Sequence, residues 1–217
     1  MAHRLLGLAC AEVGRHDEAL EHLQQALALA EHTRDHPHQA HTHLALARVW
    51  ERQGEDRRAL EHATHALHLF QTLDHPTWEA DALNGMGWFS ARLGQYAQGR
   101  AHCEAALALC RRHHDRNGEA GALDSLGLTA HHTGDHTQAL RYYQQALALF
   151  RDIGNTYEEA NTLDGLGQTY AALGEYEQAR AVWQQALELY QAQGRTHDAE
   201  RIQHQLDTLD QPSDRTD

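Results

Sequence analysis

A period of forty residues governs this chain. Gly14, Gly54, Gly94, Gly134 and Gly174 recur at that spacing. Five residues after each comes Ala19, Ala59, Gly99, Ala139 or Ala179, and seven further on Ala26, Ala66, Ala106, Ala146 or Ala186. Seven residues before each turn glycine stand Gly7, Ala47, Gly87, Gly127 and Gly167, preceded by Leu6, Leu46, Met86, Leu126 and Leu166. Five copies in one phase define an internal repeat. A repeat of this length reads as a solenoid, in which no unit covers its own apolar face and each needs a neighbour.

Inside one period the apolar residues fall at helical spacing. Ala122, Leu123, Leu126 and Ala130 make one stripe, and Ala139, Leu140, Tyr143, Ala146, Leu147 and Phe150 make a second. Gly134 and Asp135 separate them, and Gly154 ends the second. The unit is therefore helix, tight turn, helix, loop. Helices are expected over about 2–13, 16–32, 37–52, 56–72, 77–92, 96–112, 117–132, 136–152, 157–172 and 176–192. The repeats run about 1–34, 35–74, 75–114, 115–154 and 155–194. A sixth copy, DAERIQHQLDTL, stops after one helix over about 196–209 and is polar on its outer side, as a terminal cap should be. Residues 1–210 are thus expected to form a single solenoid, with 211–217, QPSDRTD, as a disordered tail. The chain starts almost directly in its first helix, which reads either as a natural N-terminus or as the C-terminal piece of a longer protein with Met1 added as a start.

Composition excludes several classes. The formal charge of −13 argues against direct contact with nucleic acid, which needs a basic surface. No apolar run approaches a membrane span, and the first residues do not form a signal peptide. Cys10, Cys103 and Cys110 make no disulfide framework, so a cytoplasmic setting with reduced thiols is expected. All eighteen basic residues are arginine, a bias that points to a high-GC genome.

Leu163, Leu166, Gly167, Tyr170, Gly174, Tyr176, Ala179, Trp183 and Ala186 carry a known signature, and the pattern covers nearly the whole chain. It resembles the tetratricopeptide repeat, whose common unit is shorter than this one. The longer unit, with ALDxLG, QALALF and RDIGNxYEEA, is similar to the C-terminal repeats of large actinobacterial transcriptional regulators of the Streptomyces antibiotic regulatory protein class. Similar long units occur in bacterial peptide-sensing regulators and in scaffolds that orient the spindle. The resemblance implies an all-α, right-handed superhelical solenoid of helix hairpins with a C-terminal capping helix. It implies a non-catalytic, protein- or peptide-binding regulatory or sensor domain within a larger regulator, needing no cofactor.

First helices of such repeats line a concave groove. By the repeat phase the groove positions are Asp81, Asn84, Trp88 and Arg92 in repeat three, Asp124, Leu128 and His131 in repeat four, and Asn161, Asp164 and Gln168 in repeat five. Repeat two offers His41, Leu44, Arg48, Glu51 and Arg52. Asn84, Asp124 and Asp164 share one phase. An amide there both donates and accepts, so it matches a peptide unit, whereas an ionised carboxylate only accepts and favours a basic ligand. A plainer reading places both acids in the first turns of their helices, where the dipole favours them. Trp88 reads either as an anchor for a ligand or as packing over Gly85 and Ala91. The expected partner is a protein or peptide segment, basic in character or supplied by another domain of the same chain, with no membrane contact. Two alternatives stay open: self-association through the exposed first helix with Leu5, Leu6 and Leu8, and a structural spacer.

Twenty histidines stand out. His62, His65 and His68 share a helix face, but no acid or cysteine completes a recurring site, and no metal is expected. His62 aligns with His22, His102, Tyr142 and Val182, which reads as ordinary helix surface. No nucleophile, base and oxyanion donor come together, so no catalysis is expected. Gly99 alone departs from alanine in its phase. Gly99→Ala is expected to stabilise by roughly 0.5–1 kcal/mol if the helix contact admits a methyl.

Overall fold

The computed structural model describes residues 2–210; the expected tail at 211–217 lies outside them. Among the described residues every regular element is a helix. They are α1 (Ala2–Glu12), α2 (His16–His32), α3 (His36–Arg52), α4 (Asp56–Thr72), α5 (Pro76–Arg92), α6 (Tyr96–His113), α7 (Arg116–His132), α8 (His136–Ile153), α9 (Thr156–Ala172), α10 (Tyr176–Ala192) and α11 (Thr196–Asp210). Their bounds fall within a residue or so of those expected from the repeat phase. The chain separates into two compact units, the first ending at Gly118 and the second beginning at Glu119, in the first turn of α7.

Local chemistry sets the ends of the helices. The turn within each hairpin needs a left-handed residue, and Gly134 supplies it at φ +80° without a Cβ penalty. The loops between hairpins need one too. Gly154 and Gly194 fill that place late in the chain, whereas Arg34, Asp74 and His114 are held at φ +55°, +50° and +57° earlier. Asp35, Asp135 and Asn155 cap the helices that follow, accepting from the backbone N–H of His38, Gln138 and Glu158.

In unit 1, α1 packs on α2, α2 on α3, α3 on α4, α4 on α5 and α5 on α6; in unit 2, α8 packs on α9, α9 on α10 and α10 on α11. The small residues mark the crossings: Ala19, Ala59, Ala139 and Ala179 are fully buried. So are Phe70, Phe150 and Tyr190, which share one phase with buried Cys110.

The two helices of a hairpin are fitted to each other by volume. A Cβ on Gly7 would lie 2.7 Å from Leu23 Cγ, and one on Gly127 2.7 Å from the Tyr143 ring. One on Gly87 would sit 2.2 Å from Cys103 Sγ, and one on Gly167 2.3 Å from the Trp183 indole. Repeat two has Ala47 in this phase, and its partner there is the small Ala63, both buried. Glycine meets a larger side chain and alanine meets alanine.

Gly99 corrects an expectation. A Cβ there would stand 2.9 Å from the Gly87 carbonyl oxygen and 3.1 Å from the Ala91 nitrogen. These are backbone atoms of α5, which cannot swing aside. The closeness of α5 and α6 removes the gain in helix propensity, so alanine at this position overpacks the hairpin.

Candidate functional site: the first-helix faces of the two units

In unit 1 the groove positions come from α3 and α5. Asn84 lies mid-helix in α5, and its Oδ1 is buried without a hydrogen-bond partner. Buried amide oxygens normally find a donor. Trp88, one turn on, is half-buried and packs beside Met86, Phe89 and Ala63. Its Nε1 donates to Glu51 Oε1 of α3 at 2.7 Å. The indole is therefore held from inside by α3 while the ring stays half-buried. Asp81 precedes Asn84 by one turn and is exposed, yet its carboxyl is pushed up to about 6 by desolvation, opposed by Arg48 and reinforced by Asp115. A side chain open to solvent but surrounded by protein mass is what a concave floor produces. Arg92 turns elsewhere, its Nε bonded 2.8 Å from Asp56 Oδ1 at the start of α4. His41 lies against the rings of Phe70 and Trp78, with centres 5.2 and 4.4 Å away.

In unit 2 the positions come from α7 and α9. Asp124 is half-buried, and its Oδ1 accepts from Thr162 Oγ1 at 2.7 Å. Burial pushes its carboxyl up to about 7; Glu158 and Asp164 add to the rise, and the Thr162 bond opposes it. His131 is half-buried with Nδ1 3.0 Å from Thr169 Oγ1, and burial lowers its pKa. Leu128, also half-buried, lies between them in sequence on α7.

Repeat five differs. Asp164 is 6% exposed, and its carboxylate is already engaged. Oδ1 accepts from Gln168 Nε2 at 3.0 Å and Trp183 Nε1 at 3.2 Å, and Oδ2 from Arg201 Nη1 at 2.6 Å. Asn161 donates to Glu158 and accepts from Arg195 Nη2 at 2.8 Å and from the Tyr190 hydroxyl at 3.2 Å. Asp198 of α11 bonds both arginines. The capping helix and the loop before it thus supply the basic partners expected of a ligand. The repeat phase contained that signal: Arg201 follows Asp164 by thirty-seven residues, the spacing that also joins Glu51 to Trp88. The plainer reading of the two acids is corrected as well. Asp124 and Asp164 each lie at the middle of their helices, α7 and α9, beyond the reach of the N-terminal dipole.

The expected histidine face is rearranged too. His62 is half-buried rather than free surface, and its Nδ1 meets His43 Nδ1 of α3 at 2.9 Å. Among the described residues no group of three histidine, cysteine, aspartate or glutamate side chains is placed to hold a metal. No helix among them is long and apolar enough to cross a membrane. An open cleft of about 370 Å³ between α10 and α11, lined by Leu187, Ala199 and Gln203 among others, shares none of the groove residues.

Comparison with solved structures gives the same architecture at low identity. A Rap protein complexed with Competence and Sporulation Factor superposes with a TM-score of 0.78 at 16% identity, covering 87% of this chain and 53% of that one. BtubC from P. vanneervenii gives 0.68 at 20%, covering 88% and 80%. A Signal Transduction ATPase with Numerous Domains that has a tetratricopeptide repeat sensor, from Pyrococcus horikoshii, gives 0.68 at 16%, covering 94% and 35%. This chain spans about half of the Rap protein and about a third of the ATPase. No curated protein matches it in sequence. The tetratricopeptide repeat pattern matches residues 1–72, 78–152 and 118–192. Such repeats in general form non-catalytic scaffolds that bind proteins or peptides. With the pattern across most of its length and helix hairpins of that architecture throughout, this chain belongs to the tetratricopeptide repeat family.

Proposed function

We propose that the chain is a non-catalytic regulatory module that binds a protein or peptide segment on its first-helix faces. In unit 1 the contact residues are Asp81, Asn84 and Trp88, and in unit 2 Asp124, Leu128 and His131. The observation that carries this reading is the unsatisfied Oδ1 of Asn84, one helical turn from the half-buried Trp88 and from the Asp81 carboxyl on α5. An amide rotated toward the groove accepts from a backbone N–H of an extended segment and donates to its carbonyl, a match that needs no particular side chain. Asp81 adds a preference for a basic residue. Asn161, Asp164 and Gln168 shape the face in repeat five, where Arg201 of α11 and Arg195 of the loop before it hold Asp164 and Asn161, and Gln168 bonds Asp164.

The Rap protein among the structural neighbours is complexed with Competence and Sporulation Factor, which supports a bound partner for a fold of this kind. The tetratricopeptide sensor of the neighbouring ATPase, together with the likeness of the repeats to actinobacterial regulators, supports a place in a larger cytoplasmic transcriptional regulator. A net charge of −13 supports a protein partner over nucleic acid for this region.

Peptides selected from a random library on the intact chain, then titrated by calorimetry, test the proposal. Asn84→Ala is expected to weaken a selected peptide about tenfold, one lost hydrogen-bonded contact, and Trp88→Ala by more. Selected peptides whose affinity neither variant changes would overturn it. Self-association has its own support in Leu5, Leu6 and Val13, exposed at 56%, 49% and 69%. A concentration-dependent mass in sedimentation that Leu6→Ser abolishes would favour that reading.

A further inference from the structure

His43 of α3 stands in the phase that Leu83, Leu123 and Leu163 fill in later repeats, where all three are buried. Across the hairpin, His62 of α4 stands where repeat five has Val182. The histidines therefore replace an apolar contact between the two helices. Their Nδ1 atoms are 2.9 Å apart. The same arrangement occurs forty residues earlier, where His3 of α1 and His22 of α2 bring Nδ1 to within 3.3 Å. Ring centres lie 5.2 Å apart in the first pair and 5.4 Å in the second. In the His43–His62 pair that exceeds the nitrogen separation by the reach of two imidazole rings, so these rings meet head-on. Head-on is the geometry of an N–H···N hydrogen bond, one ring donating and the other accepting. In a chelate the two lone pairs converge on a third point instead. His65 adds a third ring, stacked on His43 with centres 5.0 Å apart.

We propose that the His43–His62 pair makes the second hairpin of unit 1 an acid-releasable segment. The neutral pair holds α3 to α4, and its full protonation loosens them.

The bond itself dictates the response. A first proton goes to the free Nε2 of the donor ring and leaves the N–H···N contact intact. A second can go only to the shared Nδ1 of the acceptor ring. There it replaces the hydrogen bond with two facing N–H groups and two positive charges. Burial already pushes His43 down to about 4, with His62 and His65 adding to the shift. Burial lowers His62 as well, reinforced by His65 and opposed by Glu61. These groups all lie on α3 and α4; no charged group of α1 or α2 shifts either ring. Both folded values lie below the ordinary 6.5, so the folded pair binds fewer protons than the unfolded chain. The pair's contribution is whole above pH 6.5 and is lost as pH falls from there toward about 4. The later repeats, with leucine in place of His43, lack this dependence.

Hydrogen exchange on the intact chain tests the proposal, with rates corrected for the intrinsic effect of pH. Between about pH 7.5 and pH 5, α3 and α4 are expected to lose roughly tenfold more protection in the unaltered chain than in the variant His43→Leu with His62→Val, the worth of one pKa unit. That variant carries the residues that repeat five uses, Leu163 and Val182. Equal losses in α3 and α4 of the two chains would overturn the proposal. Should the variant not fold, imidazole titration of the unaltered chain by NMR decides: depressed titration of His43 and His62 supports the pair, and independent titration near 6.5 sinks it. Zinc that raises protection in the unaltered chain but not in the variant would also overturn it, by showing a chelate in place of the hydrogen bond.

Discussion

Arg201 of α11 reaches back to Asp164 of α9, its Nη1 2.6 Å from Oδ2, and gives a nearly buried carboxylate its one positive neighbour among three donors. Removing that partner leaves a charge in a poorly solvated place. Arg201→Met is expected to lower stability by about 2 kcal/mol, discounted because the arginine is partly exposed. Arg201→Lys should recover part of the loss. Thermal unfolding of these variants followed by circular dichroism measures the effect.

Asp124 sets the opposite sign of pH dependence in unit 2. Its folded carboxyl titrates at about 7, above the ordinary 3.8, so the folded state holds a proton that the unfolded chain has released. The stability this supplies is whole below 3.8 and is lost as pH rises through about 7. Asp124→Asn should therefore stabilise by about 1–2 kcal/mol near pH 8 and by less than half of that near pH 5. Melting curves at the two pH values check it; a gain at the lower pH alone would contradict the sign.

Gly87 and Cys103 should behave as one unit. Gly87→Ala drives a methyl into Sγ and is expected to cost about 1–3 kcal/mol. Gly87→Ala with Cys103→Ala recreates the alanine pair of repeat two and should recover only the part of that loss due to Sγ, because the Gly99 carbonyl oxygen and the Cys103 nitrogen still stand 3.0 and 3.1 Å from the added methyl. Gly99→Ala, which meets backbone and has no side chain to shrink, should lose stability without any such rescue. Denaturant titration of the four variants gives the coupling.

His114 is exposed and ends α6 at φ +57°, where Gly154 ends α8 at +71°. His114→Gly should stabilise by about 0.5–1 kcal/mol by relieving the left-handed penalty. A shift of a few degrees in Tm measures it.

The helices were legible because their punctuation is periodic: Gly134 and its mates fix the hairpin turn, and everything else is counted from it. Contacts between neighbouring helices were less so. Asp164 looked free because Arg201 belongs to a helix read as a polar cap, and only the thirty-seven-residue ladder spacing links them. Gly99 looked like a missing alanine because propensity is a property of one helix, whereas the obstacle is the Gly87 carbonyl of another. Alignment with His22, His102, Tyr142 and Val182 makes His62 look like surface. The buried leucines aligned with His43, its partner across the hairpin, carried the better clue.

Near-identical repeats face a hazard that unique sequences escape: a helix can join the wrong partner and still bury its apolar stripe. The matched volumes along the hairpins answer it. Leu23 offered to Ala47 would meet a methyl where its own partner, Gly7, has none. Ala63 offered to Gly7 or Gly87 would leave a void in the space that Leu23 or Cys103 fills. Repeat two is thereby told apart from the repeats on either side of it, and the chain carries its own register marks against misassembly.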